Sequence, residues 1–258
     1  MNCQEEYRRW LARADASLRD ELRAMESQPD QMEDAFYRNL TFGTGGLRGV
    51  IGAGTNRMNL HTVARASQGV ADYVNRHFEA DARRIAVSYD SRILSTEFAR
   101  VAAEVFAANG IHVMIYPRLM PTPCLSWAVR ALNCAAGVMV TASHNSAKYN
   151  GYKVYGADGG QITTEAAAEI LDMIEALDIF ADPRRTSFEA ALEAGRIEWI
   201  PEDVLTAFIE RVKGESLLGD AGADRSARIV YTPLNGTGLE PVTRILRECG
   251  YEIGRAHV

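Results

Sequence analysis

The sequence has no C-x-x-C pair and no Cys/His run at zinc-finger spacing. Its four cysteines, Cys3, Cys124, Cys134 and Cys249, lie far apart, which argues against a zinc ribbon and reads as reduced thiols in a cytoplasmic protein. Met1 to Arg23 alternates charged and apolar residues, and no later run reaches membrane-spanning length, so no export or anchoring signal is expected. Basic residues are outnumbered, 28 Lys and Arg against 34 Asp and Glu for a net charge of −6. That balance leaves no global basic field for nucleic acid or an anionic membrane, and an anionic ligand would have to meet a local cluster. No Gly-Lys pair occurs, which excludes the phosphate loop of the G-x-x-x-x-G-K type. A dinucleotide fingerprint starting at Gly43 would need glycine where Arg48 stands, and a hydrolase elbow fails at Ser143, whose neighbours two away are Thr141 and Asn145.

What is present is the composition of a chain with a real core, 47% hydrophobic and 24% charged. At about 150 residues per domain, 258 residues make roughly one and a half domains. From Tyr7 to Met25 the spacing of Trp10, Leu11, Leu18 and Leu22 predicts one amphipathic helix used for packing, and a short second helix follows over Gln31 to Leu40. The passage GTGGLRGVIGAGTN, Gly43 to Asn56, is too rich in glycine for the interior of a helix or strand and reads as a loop or a tightly bent strand. A helix from about Thr62 to Phe78 comes next.

The middle third is regular. Apolar runs at Ile85 to Tyr89, Ile111 to Tyr116 and Ala135 to Thr141 alternate with a helix capped by Ser95 and ended by Gly110, and with a helix over Pro123 to Leu132. This is βαβαβ, so an α/β fold is expected, with a mixed but mainly parallel sheet flanked by helices. In such sheets ligands bind beyond the carboxyl ends of the strands, which singles out Thr141-Ala142-Ser143-His144-Asn145. A hairpin turn at GADGG, a helix capped by Thr163 and a polar connection over Asp178 to Glu198 follow. A second unit then opens with a helix at Pro201, a strand at Arg228 to Tyr231, the loop PLNGTG and a helix from Leu239 to Cys249. His61, His77 and His112 read as structural or surface residues.

The stretch TASHNSAKYNGYKVYGADGGQI sets an exposed serine at a strand end among His144, Asn145, Lys148, Asn150 and Lys153. Such a cluster suits phosphate, because a phosphorylated serine carries about −1.5 to −2 charges and three strong acceptors. This stretch resembles the phosphoserine loop of the α-D-phosphohexomutases, the phosphoglucomutase and phosphomannomutase superfamily. FGTGGLRGVIGAGTNRMN and TVARASQGVADYV resemble the first-domain entry of its long phosphoglucomutase and phosphopentomutase branch, and VYTPLNGTG resembles the start of its second domain. The resemblance runs from Trp10 to about Tyr251 with the three motifs in the family's order.

The resemblance implies an intramolecular phosphotransferase that moves phosphate between the 1- and 6-positions of a sugar, most simply glucose. Mannose and pentose phosphates stay open, since the loops that read the sugar are not in this sequence. Ser143 would carry the phosphoryl group and pass it through a bisphosphate intermediate, with glucose 1,6-bisphosphate or a similar compound as activator. Arg48 would stabilise charge. Lys153 would assist proton transfer or neutralise phosphoryl oxygens. His144 would either touch the substrate or, with Asn145, shape the loop, and Thr44, Gly45, Asn145 and Lys148 would bind substrate or phosphate. Outside the resemblance, Arg48 and Lys153 read as ordinary surface cations.

The chain departs from the pattern at Ser146, where the family usually has proline, a residue that would stiffen the loop by fixing φ. The resemblance also implies magnesium, held by the Ser143 phosphate and by aspartates of a later loop that this sequence lacks. Asp220 and Asp224-Arg225 precede VYTPLNGTG and are rejected as ligands. The tail EIGRAHV, Glu252 to Val258, matches the translation of a common sequencing-library adapter, so the native part of this chain is expected to end near Tyr251, with the intact protein continuing through the rest of the second domain and two further domains. The expected division is a helical extension over 1–40, a first mutase domain over 41–180, a linker over 181–200 and the start of a second domain over 201–258, with 252–258 non-native. The partner is a small sugar phosphate. Two rivals from other classes are a serine hydrolase using Ser143 with His144 and a non-catalytic phosphosugar-binding module.

Overall fold

The computed structural model describes residues 2–217 and 224–255. Asp220 and the last three residues of the tail lie outside the described residues. The chain opens with three helices, α1 (Cys3–Arg13), α2 (Ala16–Met25) and α3 (Pro29–Phe36). The single helix expected over Tyr7 to Met25 is therefore corrected to two, broken where Ala14 takes extended backbone. A straight helix would hold Trp10 and Leu22 about 18 Å apart along its axis. The reversal instead buries both in one cluster with Tyr7, Met25 and Phe36, where the Trp10 and Phe36 rings meet edge to face at 5.8 Å.

The glycine-dense passage forms a hairpin turn and then β1 (Leu47–Val50). Its second half is a seam for the N-terminal helices. The Ala53 amide donates to Glu21 Oε2 at 3.0 Å and the Asn56 amide to Ala35 O at 3.0 Å. Gly54 has φ +126, and a Cβ there would stand 2.5 Å from Ala35 O, so this close approach requires glycine. The seam ends at Asn59, the cap of α4 (Leu60–His77). Asn59 Oδ1 accepts the Thr62 amide, Thr62 Oγ1 accepts the Asn59 amide, and Asn59 Nδ2 donates to Gly52 O and Gly54 O at 2.9 and 3.0 Å. Asn59→Ala is expected to cost about 2 kcal/mol, a capping loss compounded by two unsatisfied carbonyls. An unchanged midpoint of chemical unfolding would contradict it.

The sheet follows from alternating units: β2 (Arg84–Tyr89), α5 (Ser95–Ala108), β3 (His112–Ile115), α6 (Thr122–Ala131), β4 (Ala136–Val140), β5 (Tyr149–Gly156) and α7 (Thr164–Glu175). β2 pairs in parallel with β3 and β4, while β5 lies antiparallel between β4 and β1. Along β2, β3 and β4 the side chains alternate between two cores. Ile85, Val87, Val113, Ile115, Val138 and Val140 face the core that holds Phe98, Phe106 and Ile170, and Ala86, Met114 and Met139 face the core that holds Leu125 and Leu205. Continuous apolar runs at this spacing are what a sheet covered on both sides requires.

The polar stretch read as a connection is a correction of the secondary-structure reading. It folds into α8 (Phe188–Glu193) and β6 (Ile197–Trp199), and β6 joins the sheet parallel to β3 as its sixth strand. Phe188, Ala191 and Ile197 are buried in the main core, and the Arg100 guanidinium covers the Phe188 ring at 4.1 Å. Few apolar residues carry this packing, and they are too sparse to show a period.

After α9 (Glu202–Lys213), β7 (Ile229–Tyr231), α10 (Leu239–Glu248) and β8 (Ile253–Arg255) form a small second unit whose two strands pair in parallel. Arg118 joins it to the first unit by bonding Glu240 through Nε and NH2 and Glu202 through NH2. Among the described residues no helix is long and apolar enough to cross a membrane.

Candidate active site

β4 ends at Val140, and the Thr141 amide prolongs its pairing by donating to Gly151 O at 3.0 Å. The chain then leaves the sheet and returns as β5. Thr141 and Ala142 are buried, whereas Ser143 and His144 are exposed. Ser143 has φ +58, the left-handed region that costs an L-residue roughly 1–2 kcal/mol. Its Oγ lies 3.3 Å from His144 Nδ1. Among the described residues no carboxylate pairs with His144, so no hydrolase triad is assembled around this serine.

Two residues that the sequence reading does not single out surround this loop. Asp90, just past β2, accepts the Thr141 hydroxyl on Oδ2 at 2.6 Å and the Ser95 hydroxyl on Oδ1 at 2.8 Å. Arg92 lies 3.4 Å from Asp90 Oδ2 through Nε. Its NH2 donates to Ser143 O and Asn145 O at 2.5 and 2.7 Å, and its NH1 to Ser146 O and Tyr149 O at 3.1 Å each. The only sequence signal for them is D-S-R directly after an apolar strand. Ser95 is a correction. It stands at the first helical position of α5, Leu94 holds the cap with φ +61, and the Ser95 hydroxyl serves the carboxylate.

Arg48 lies on β1 opposite Gly151, and Lys153 lies on β5 opposite Met139. Strand alternation puts both cations on the face away from Leu47 and Tyr152, which are in the main core. Lys153 is half-buried. Burial holds its ammonium below the ordinary lysine range, Arg48 adds to the effect, and Asp90 opposes it. Thr44 and Gly45 form the exposed tip of a two-residue turn closed by Gly43 N to Gly46 O and Gly46 N to Gly43 O at 3.2 and 2.7 Å. Lys148 is exposed, its ammonium 5.6 Å from the centre of the Tyr149 ring.

Above the strand ends opens a cavity of about 850 Å³. Ser143, His144 and Asn145 line one wall, the start of α6 lines another, and Leu234 to Thr237 of PLNGTG close the far side. The Ser91 hydroxyl donates to Asn235 O at 2.6 Å across the gap. Arg48, Lys153, Lys148, Thr44 and Gly45 lie outside this lining. A chamber of this size holds a small polar metabolite.

The residues present do not make a magnesium site. Asp90, the carboxylate of the cavity lining, is committed to two hydroxyls and to Arg92. Among the described residues no group of three or more His, Cys, Asp or Glu could hold a metal ion.

The model of phosphoglucomutase/phosphomannomutase, alpha/beta/alpha domain I, matches residues 39–179. A phosphoglucomutase of Staphylococcus saprophyticus is 35% identical over 243 residues, which is 94% of this chain and 43% of the relative. One of Staphylococcus aureus strain N315 is 35% identical over 249 residues, 94% of this chain and 42% of the relative. The chain thus spans about 43% of the length of the curated relatives it matches. Among solved structures, a Thermus thermophilus protein assigned as a phosphomannomutase superposes with TM-score 0.69 at 28% identity, over 84% of this chain and 45% of that one. A Burkholderia thailandensis protein of the phosphoglucomutase/phosphomannomutase family shares the fold with TM-score 0.63 at 22% identity, over 83% and 43%.

Proposed function

The chain belongs to the phosphoglucomutase/phosphomannomutase family, and on that premise we propose that it carries the phosphoryl-transfer loop of a sugar-phosphate mutase, with Ser143 as the carrier. One observation bears most of this reading: a strained, exposed serine at the carboxyl end of β4, facing a cavity and backed by a carboxylate and a guanidinium that are both committed to its loop. In the first half-reaction the bond from phosphorus to Ser143 Oγ breaks as a bond to a hydroxyl of the sugar monophosphate forms. In the second, the bisphosphate returns its other phosphoryl group to Ser143 Oγ. Lys153 takes the proton of the attacking sugar hydroxyl and passes it to the leaving Ser143 Oγ; in the second half-reaction it takes the Ser143 hydroxyl proton and gives it to the leaving sugar oxygen, and Arg48 beside it neutralises phosphoryl charge. His144 and Asn145 shape the loop at the cavity wall.

Glucose phosphates are the proposed substrates because the curated relatives are phosphoglucomutases. A mannose phosphate is the second reading, favoured by the Thermus thermophilus structure. Glucose 1,6-bisphosphate is the proposed activator, the cytoplasm the proposed location and a small sugar phosphate the proposed partner. A helical extension to about residue 40 and a first domain that its sixth strand carries to about residue 200 belong to the same proposal. Magnesium, to which the resemblance points, would need donors beyond the described residues, and no step is assigned to it.

The test is incubation with glucose 1,6-bisphosphate followed by intact-protein and fragment mass spectrometry. One phosphoryl group on Ser143 is expected, and a group elsewhere or none at all would sink the reading.

Lys153 gives a second handle. Its folded-state value is lowered from the ordinary 10.5, so the folded chain binds fewer protons than the unfolded chain between the two values. On this account stability rises with pH through that window, and the cost is complete below it. Neutral Lys153 is the proton acceptor, so turnover should rise with pH through the same lowered value. Lys153→Met is expected to slow turnover about 10²-fold, to flatten the alkaline rise and to raise the melting temperature slightly. A variant that keeps the wild-type pH profile would remove Lys153 from proton transfer.

A further inference from the structure

We infer that Arg92, held by Asp90, is the positioning residue of the phosphoryl-carrying loop and keeps Ser143 in its left-handed conformation; this deepens the function proposed above and rests on it. Ser143 is pinned on both sides from outside its own peptide units. Its amide donates to Thr141 Oγ1 at 2.9 Å, and the Thr141 hydroxyl donates to Asp90 Oδ2 at 2.6 Å. Its carbonyl accepts Arg92 NH2 at 2.5 Å. Left alone, a serine with φ +58 would relax to negative φ. Here relaxation would break a bond tied to a charged group at each end, so the surroundings hold the strain.

Arg92 does more than hold one carbonyl. Its two terminal nitrogens span four, at positions 143, 145, 146 and 149, and so fix the loop along almost its whole length. A planar fork suits this, since its two terminal nitrogens diverge, whereas an ammonium donates its three N–H groups from one atom. The fork is itself aimed from behind. The Arg92 amide donates to Asp90 Oδ1 at 3.0 Å, and the guanidinium of this side chain, which is 12% exposed, lies against Asp90 Oδ2. Ser95 closes the frame by donating to Asp90 Oδ1 and accepting Asn150 Nδ2 at 3.0 Å, which anchors the point where the loop rejoins β5.

The frame also reaches position 146. A proline there would fix φ by its ring, and with serine the same position is held through its carbonyl by Arg92 NH1 at 3.1 Å and by the Tyr149 amide at 3.0 Å. Arg92 touches neither the reacting oxygen nor the phosphoryl group in this scheme. It acts through the backbone of Ser143.

The experiment uses the complete natural polypeptide, wild type and Arg92→Gln, mixed with glucose 1,6-bisphosphate, and follows single-turnover phosphorylation of Ser143 by mass. The transfer rate is expected to fall about 100-fold, the scale of a displacement of about 1 Å at a reacting group, with bisphosphate affinity nearly unchanged. Guanidinium ion added to Arg92→Ala should restore part of the rate without moving the melting temperature, an effect that a purely structural role would not give. Arg92→Lys keeps the stem and the charge but lacks the fork, and it too should remain slow. Transfer at the wild-type rate in Arg92→Gln or Arg92→Lys overturns the inference. A wild-type protein that gains no phosphoryl group overturns the function proposed above instead, whatever the variants do.

Discussion

Ser143→Ala is expected to abolish phosphoryl transfer, with turnover of glucose 1-phosphate down by roughly 10⁴-fold or more. Alanine removes the exposed hydroxyl at the end of β4 that lines the cavity. His144 cannot replace it in this geometry, because its ring already lies beside Ser143 Oγ and has no orienting acid among the described residues. The fold should survive the change. The Ser143 amide and carbonyl make the bonds to Thr141 and Arg92, and its side chain is exposed, so the melting temperature should stay within about 2 °C. The complete polypeptide carrying Ser143→Ala would be assayed for turnover and for phosphoryl uptake. Equal turnover in variant and wild type would rule out a carrier serine.

Gly46→Ala is expected to be the most damaging small change to stability, at about 3–5 kcal/mol. Gly46 has φ +73, and a Cβ there would stand 1.8 Å from Tyr152 O and 2.9 Å from Lys153 Cα. These are backbone atoms of β5 and cannot rotate away. The variant must lift the turn off β5, and Arg48, two residues on, moves with it. A loss of about 10 °C in melting temperature should accompany a loss of activity. Gly43→Ala, whose Cβ would meet nothing within 4 Å, is the stability control and should stay within about 0.5 kcal/mol. Similar melting curves for the two variants would show that the turn yields more easily than this geometry implies.

The central strands and the Ser143 loop were readable from the sequence because both are local signals. An apolar run, a helical stripe and a dense polar motif each occupy a few consecutive residues, and β2, α5, β3 and β4 fall within one or two residues of where those signals end. Asp90 and Arg92 were not readable. Their importance depends on register: Tyr89 pairs with Val140, which sets the residues after the two strands side by side, and no spacing within either segment encodes that pairing. The break at Ala14 and the sixth strand were hidden for a related reason. Each is decided by what packs against it, Phe36 in one case and β3 in the other, and a single-residue period cannot report a partner elsewhere in the chain. The glycine passage was legible as irregular, but its division into a turn at Gly43 to Gly46 and a seam at Gly52 to Asn56 required knowing where α2 and α3 lie.

The N-terminal cluster sets a schedule for synthesis. Trp10 packs edge to face on Phe180 at 5.2 Å, and Arg9 bonds Asp178, 169 residues further along. At about 5–20 residues per second, the second half of this contact reaches the ribosome exit roughly 10–30 s after the first. During that interval the first helices have Phe36 and the seam for company but no aromatic lid, and their apolar face is open to a chaperone or to a neighbouring nascent chain. A pause in translation between residues 60 and 178 would therefore lengthen the time for which the opening helices wait for this lid.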